Sequence, residues 1–572
     1  MRSATVISLA VLGLVFLLST AALAASIISY QGQLQWDGQP YDGQADMSFQ
    51  LFDQSSGGEA ISGLLLIDSV SIQGGLFQVE LDFGPDVFGN RRHYLEIHVG
   101  GQLLSPRQVI HSVPVAHYAL SSRQIDADSQ FQVRCQGGGR LIGMREDALP
   151  LCSLRPAVHI GKGSFHACAV QDDGEVWCWG RNTYGELGDG TSGTPSGFGA
   201  VQVRIDDSGS DGGPLTGALR VAGGGDFAST GHSCAIDDQG AAWCWGSGYT
   251  AGDGDQGPNR LRAVRVINQS GSPVSDAIDI AAGRDHSCLL RANGTVLCWG
   301  RGSSGQLGNG GTELLTRATP VRRGDNDLEL TNIAAIDAGY EHSCAIESSG
   351  QLWCWGRNET GQLGTGSTSS GELRAMRAMA DSDTPLDDVI AIGLSIRSSC
   401  AVRAVNGGEV WCWGSRQDGA LGDGQDGSAG TALYPVRVIK DDEGADGEPL
   451  RGAIRVTGAQ TPSDPGKCAV RDDGTLWCWG RGFDGQLGND GTSSTTRAVQ
   501  VVRDLNGRNG GALRGVVQAA RGDRSSCALG DDGSIWCWGN NRYTGVGGLT
   551  PANAPTPRAM EVTRRIEREE DG

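Results

Sequence analysis

The sequence is short of positive charge. Against 66 acidic residues it carries 46 Lys and Arg, for a net charge of −20. Proteins that hold nucleic-acid phosphates need basic patches, so this balance speaks against a nucleic-acid partner. Beyond the first 25 residues there is no apolar run long enough to span a bilayer as a helix. There is no G-x-S-x-G and no H-E-x-x-H, so two common hydrolase signatures are missing. There are no closely spaced cysteine pairs, the usual frame of structural zinc.

What the chain does have is glycine, 90 of 572 residues, and one motif repeated. The stretch CAVQDDGEVWCWG from Cys168 returns, with variations, from Cys234, Cys288, Cys344, Cys400, Cys468 and Cys527. Successive copies start 54 to 68 residues apart, a period that signals a propeller or a solenoid. Within a copy, apolar residues alternate with period two around an Asp-Asp-Gly, so each copy reads as a β-hairpin whose turn ends on a left-handed glycine.

That hairpin sets the cysteines opposite each other. Counting outward from the turn, Cys168 faces Cys178 at a non-hydrogen-bonded site, where α-carbons approach to about 4.5 Å and a disulfide can form. The same pairing gives Cys234–Cys244, Cys288–Cys298, Cys344–Cys354, Cys468–Cys478 and Cys527–Cys537. In the fifth copy Cys400 and Cys412 are 12 apart rather than 10, and both separations are even, so the two cysteines still share a face. Free buried thiols and a metal site are the alternatives. Cys135 and Cys152 are the remaining two, and pairing them leaves none of the 16 over.

The first residues, MRSATVISLAVLGLVFLLSTAALAAS, have the form of a secretory signal ending in Ala22-Leu23-Ala24, with an uncleaved anchor as the alternative. Export predicts a secreted, cell-surface or periplasmic location and an oxidising compartment, which suits disulfides. Five segments follow: signal 1–24, a small antiparallel β-sandwich 25–120, a junction 121–156 holding Cys135 and Cys152, repeats 157–566, and a charged tail 567–572. Within the sandwich, SPRQVIHSVPVAHYA (105–119) reads as an exit segment. The expected fold is all-β.

In each repeat a short strand leads into G-x-x-H-S-C, the hairpin follows, then a Gly-x-Leu-Gly turn such as GQLGNG (305–310), then a closing strand such as ATPVRR (318–323). Four strands make a propeller blade. The Trp-Gly ending and the GQLG turn resemble the regulator-of-chromosome-condensation repeat family, over about 410 residues. That resemblance implies a seven-bladed propeller. The family's eukaryotic namesake acts on a nuclear GTPase and chromatin, which does not suit an acidic, exported chain. Closer in setting is a secreted bacterial inhibitor of β-lactamases, which looks like the same propeller used as a protein-binding face. The front segment, with its YQG start and SPRQ-x-x-x-x-VP-x-A ending, resembles a domain found at the front of secreted bacterial proteins, which implies a bacterial origin.

Candidate sites follow from the repeat. His166, His232, His286 and His342 precede the first cysteine by two, where the other copies have Ser398, Gly466 and Ser525. They read as histidines bonding backbone at a strand start, with a partial ring of metal ligands as the sharper alternative. GxLGxG is read as a turn rather than a phosphate loop, because no helix pattern follows it. DDSGSDGG (206–213) and DDEGADGE (441–448) read as solvated loops, with weak adventitious calcium as the alternative. No catalytic residue, cofactor or metal ligand is assigned.

The segments joining one repeat to the next are Asp206–Gly217, Asn268–Ser275, Gly324–Leu330, Asp381–Asp388, Asp441–Gly452 and Asp504–Gly515. A propeller sets them on one rim. Asp206, Asp207, Asp211, Asp441, Asp442, Glu443 and Asp446 are its candidate partner-binding residues. The ring is expected to close where Val158–Ile160 meets the last blade near Met560–Val562. The functional expectation is an exported binding module for a protein or glycan. A carbohydrate-acting hydrolase or lyase is the alternative, since carboxylates from different blades can pair, and a structural surface protein is a third reading.

Overall fold

The computed structural model describes residues 27–110, 141–540 and 555–565, apart from short stretches within them. The strands fall into two compact units, Met1–Gln130 and Phe131–Gly572. The signal segment and Cys135 lie outside the described residues.

The first unit is antiparallel throughout. One sheet orders Leu65–Ile72, Gly43–Phe52, His93–Val99 and Gln102–Ile110; a second pairs Ile27–Gln33 with Leu76–Asp82. Alternating residues of both, among them Phe49, Leu51, Ile72, Leu81 and Leu95, share one apolar core. The supposed exit segment begins inside this unit, because Ser105 to Ile110 belong to its edge strand.

The second unit is a ring of seven four-stranded antiparallel sheets, the blades, each built from consecutive strands A to D. Blade 3 is a plain copy: Ala277–Ala282, His286–Arg291, Val296–Gly300 and Leu315–Pro320. Blade 1 spans 157–202 and blades 2, 4, 5, 6 and 7 span 218–265, 333–377, 389–437, 453–500 and 516–561. Each A strand contacts the A strand of the next blade, and the first contacts the seventh, so the A strands surround the axis. The seam falls between whole blades, and no blade borrows a strand from the other end. The junction also joins the far end of the chain, since Pro150–Ser153 pairs with Leu141–Met144 on one side and Thr563–Arg565 on the other.

The hairpin register follows from the turn. Gly174 takes φ +78° and its N–H donates to Gln171 O, while Gln171 N–H donates to Glu175 O at 2.9 Å. Three residues outward on each side, Cys168 lies opposite Cys178. All seven pairs are bonded, with α-carbons 4.0–4.1 Å apart, including Cys400–Cys412 beyond its longer turn. Cys152 is on a described strand, but its proposed partner is not described.

Candidate binding faces

In blades 2 to 7 the motif's second tryptophan locks the blade to the one before it. Trp245 Nε1–H donates to Glu186 O at 2.7 Å, Trp355 to Gln306 O at 2.9 Å and Trp538 to Gln486 O at 2.9 Å. Trp299, Trp413 and Trp479 do the same. The acceptor is the turn of the preceding blade that reads Gly-x-Leu-Gly in most copies, so the turn is an interblade socket and not a phosphate loop. Its second glycine is required twice over. At Gly308 φ is +65°, and an added β-carbon would lie 2.8 Å from Trp355 Cδ1. In blades 2, 4 and 5 the first tryptophan of the motif is covered by arginine, as where Arg323 and Arg377 lie 4.3 and 5.0 Å from the Trp353 ring centre.

The histidines differ from expectation. Their rings bond hydroxyls of the next blade, and backbone of His232 and His286 adds a contact to the rings of His166 and His232. His166, His232, His286 and His342 place Nε2 2.8–2.9 Å from Ser233, Ser287, Ser343 and Ser399, each on the next blade. Ser399 Oγ donates onward to Gln362 O at 2.7 Å, so it accepts from the imidazole, which is then neutral with its proton on Nε2. The cause is the tight A–B corner, which sets the start of each B strand against its neighbour's. Gly283 makes room, since a β-carbon there would meet His286 Cε1 at 2.3 Å. Burial holds His232 at about 4 and His166, His286 and His342 at about 3. At blades 5 and 6 the pair is rebuilt, with Lys467 Nζ donating to Ser395 and Ser398 Oγ at 2.6 and 2.9 Å. Among the described residues no group of three or more His, Cys, Asp or Glu is arranged to hold a metal.

Strand direction assigns the two faces. D–A connections and B–C turns open on one face, A–B and C–D loops on the other. On the A–B face Arg284 draws together Asp226, Asp285 and Glu341 of three blades at 2.9–3.1 Å, and Arg357 adds a second guanidinium to Glu341 at 2.7 Å. No sequence signal marks this convergence, because it joins the same corner of different copies. The carboxylates are engaged by cations and form no open acid–base pair.

The D–A segments are more ordered than solvated loops. Arg204–Asp207 and Ser210–Pro214 form a hairpin that adds in parallel to the D strand of blade 2, through Ile205 and Ala263. Ile439–Asp442 with Ala445–Pro449, and Val502–Leu505 with Arg508–Ala512, repeat this on blades 6 and 7. The segments after Val266 and Val321 make the same parallel step as single bridges, Asn268 to Ala318 and Arg323 to Ala375. The named acids therefore lie on hairpins at the outer edge. Asp206 and Asp211 are register partners, as are Asp441 and Asp446. Asp207 and Asp442 end their strands, and Glu443 lies outside the described residues. Asp206 accepts from Gly209 N–H at 2.7 Å. Arg204 sits 2.6 Å from Asp211 and holds its carboxyl below the usual range.

At the axis the same face carries an aliphatic collar. In every blade the register of strand A shifts after its first residue, and the second residue leaves the ladder. Those second residues are Leu219, Ile278, Ile390 and Ile454, all exposed, with Val158, Ala334 and Val517 at the remaining three places. The third residues are mixed, including His159, Arg220, Asp279, Arg455 and Gln518.

A closed seven-bladed propeller, stapled within each blade and bonded between blades, is the class of protein these features define. Models of the regulator of chromosome condensation (RCC1) repeat match residues 158–186, 277–306, 333–362 and 516–544, and 293–346 and 473–529. The chain is an RCC1-repeat β-propeller. Residues 29–107 match a family described only as a domain of unknown function. The chain is 29% identical over 413 residues to the RCC1 domain-containing protein RUG3, mitochondrial, of Arabidopsis thaliana, covering 69% of this chain and 84% of that one. It is 28% identical over 327 residues to the probable E3 ubiquitin-protein ligase HERC6 of Homo sapiens, of which it spans only 28%. Among solved structures, human WBSCR16 aligns with a TM-score of 0.48 at 18% identity, over 68% of this chain and 94% of that one. Prp20p of Saccharomyces cerevisiae aligns at 0.47 and 18%, over 67% and 83%.

Proposed function

We propose that the chain is an exported, non-catalytic binding module that presents one propeller face to a protein or glycan partner. The observation that carries this reading is the set of D–A hairpins. The two at 204–214 and 439–449 are anchored at their bases to the next blade and carry their acidic residues toward one face. An anchored base and an exposed tip suit recognition by preformed loops, which lose little freedom on binding. The acids favour a basic partner and faster encounter. The signal-like N-terminus and the seven disulfides support export.

The test is affinity capture of secreted and surface proteins and glycans on the purified full chain. The captured partner is then measured by surface plasmon resonance against a variant with Asp206, Asp207, Asp211, Asp441, Asp442 and Asp446 changed to Asn. The expected result is a slower association rate with a flatter salt dependence. Failure to capture any partner, under conditions where the chain is folded and oxidised, refutes the module reading.

A further inference from the structure

We infer that the collar at the axis is a socket for a protein segment that inserts aliphatic side chains between basic ones. The inference rests on the binding-module reading and names the place and the partner chemistry. Leu219, Ile278, Ile390 and Ile454 are 57%, 48%, 51% and 43% exposed. They come from the A strands of blades 2, 3, 5 and 6, so they are spread around the axis rather than gathered in a patch on one side. All seven equivalent positions are aliphatic, although the residues one step down the same strands include two arginines, an aspartate, a histidine and a glutamine. Solvent exposure alone does not produce that contrast. Apolar surface held open at the centre of a polar face is the anatomy of an interface core.

The surrounding charge selects the occupant. Asp172 N–H donates to Pro156 O, Asp238 to Gly217 O, Asp472 to Gly452 O and Asp531 to Gly515 O. In each case the acceptor lies two residues before a collar residue, so the B–C turns stand beside the collar. Blades 6, 7, 1 and 2 are consecutive around the ring, and their turns expose Asp172, Asp173, Asp238, Asp472, Asp473, Asp531 and Asp532. Arg471 pairs with Asp473. The result is an apolar mouth half-encircled by an acidic arc, complementary to aliphatic residues flanked by Lys or Arg. A second copy of this chain fits poorly, because an isologous contact sets arc against arc at a net charge of −20 per chain.

The experiment uses the full oxidised chain and a fluorescein-labelled peptide of three leucines with lysines on both sides, read by fluorescence anisotropy. Two controls replace the leucines with glycine or the lysines with glutamate. The expected result is saturable binding of the leucine–lysine peptide only. Combined L219S/I278S/I390S/I454S substitution should weaken it at least ten-fold, with the melting temperature unchanged. D172N/D173N/D531N/D532N should weaken it in a salt-dependent way. Absence of binding, equal binding of either control, or binding indifferent to the four serines overturns the proposal. So does a concentration-dependent dimer in sedimentation velocity that the serines abolish, which makes the occupant a second copy. A captured natural partner that ignores the serines but responds to the hairpin acids overturns the socket and leaves the module reading standing.

Discussion

The amide of Ala157 donates to the carbonyl of Gly533 at 2.9 Å, across 376 residues of chain. It is the last of seven equivalent bonds. In each, the turn glycine of one blade accepts from the first A-strand amide of the next, as Gly174 does from Ala218 and Gly474 from Val516. The seam is therefore bonded as the other six junctions are. Gln518 reinforces it, accepting from Ile160 N–H at 3.2 Å and donating to Ile160 O at 2.8 Å.

Truncation from Arg558 onward should open the ring. It removes most of the last D strand, the Arg558–Asp490 ion pair and the strand Thr563–Arg565 that pairs with Leu151–Ser153. Calorimetry should show a fall of several degrees in melting temperature, and truncation from residue 567 should show none. Gln518→Ala should cost about 1–2 kcal/mol, because it leaves backbone groups of Ile160 without their partner. An unchanged melting temperature after the longer truncation contradicts closure through these ends.

Each disulfide closes a loop of about ten residues, which the chain-entropy account values at about 2.5–3 kcal/mol. Replacing Cys288 and Cys298 together with serine should lower stability by about that amount and leave the other six pairs intact. Non-reducing peptide mapping of the exported protein checks the connectivity. Alkylatable thiols in the native protein, or links between blades, would contradict it.

The blades were legible because their signals are local. Period-two alternation, a glycine at each turn and an even cysteine spacing all lie within 13 residues of one another in CAVQDDGEVWCWG. The interblade contacts were not legible, because they link a residue to the next copy of the repeat. His286 and Ser287 are neighbours in sequence, yet His286 bonds Ser343 and Ser287 bonds His232. The D–A hairpins were hidden for a second reason. A composition such as DDSGSDGG disfavours strands, and only the parallel edge of the neighbouring blade draws it into one.

The buried histidines set an acid limit. Unfolded imidazoles protonate near pH 6.5, whereas folded His286 and His342 stay neutral to about pH 3. As pH falls below about 6.5 the unfolded chain binds protons that the folded chain refuses, so stability falls through that window and is independent of these groups above it. Each such histidine steepens the slope by up to about 1.4 kcal/mol per pH unit. His286→Ser should cost about 1 kcal/mol at pH 7.5 through the lost bond to Ser343, yet flatten the slope between pH 6 and 4.5 by about one proton. Urea unfolding across that range reads both effects.

Gly308→Ala tests the socket. The new methyl would meet both Trp355 and Val321 Cγ1 at 2.8 Å from a backbone at φ +65°. The cost should be about 1–3 kcal/mol, from strain and overpacking together. Near-ultraviolet circular dichroism should show a changed tryptophan environment. Gly311→Ala, in a negative-φ position beside the movable Glu313 carboxylate, should be nearly silent.

The hairpins should behave differently at base and tip. Ile205 pairs in parallel with Ala263 and packs against the apolar cluster between blades 1 and 2. Proline at 205 removes its amide and its side-chain packing, so Ile205→Pro should lower the melting temperature clearly, by about 1–3 kcal/mol of stability. Asp206 and Asp207 lie toward the tip, where Asp206 caps only its own turn. Changing both to Asn keeps an acceptor for Gly209 N–H and should leave the melting temperature unaltered. If the two variants were equally stable, the base of the hairpin would not be holding the next blade. If they were equally destabilised, the tip would be part of the scaffold, and its acids would not be free for a partner.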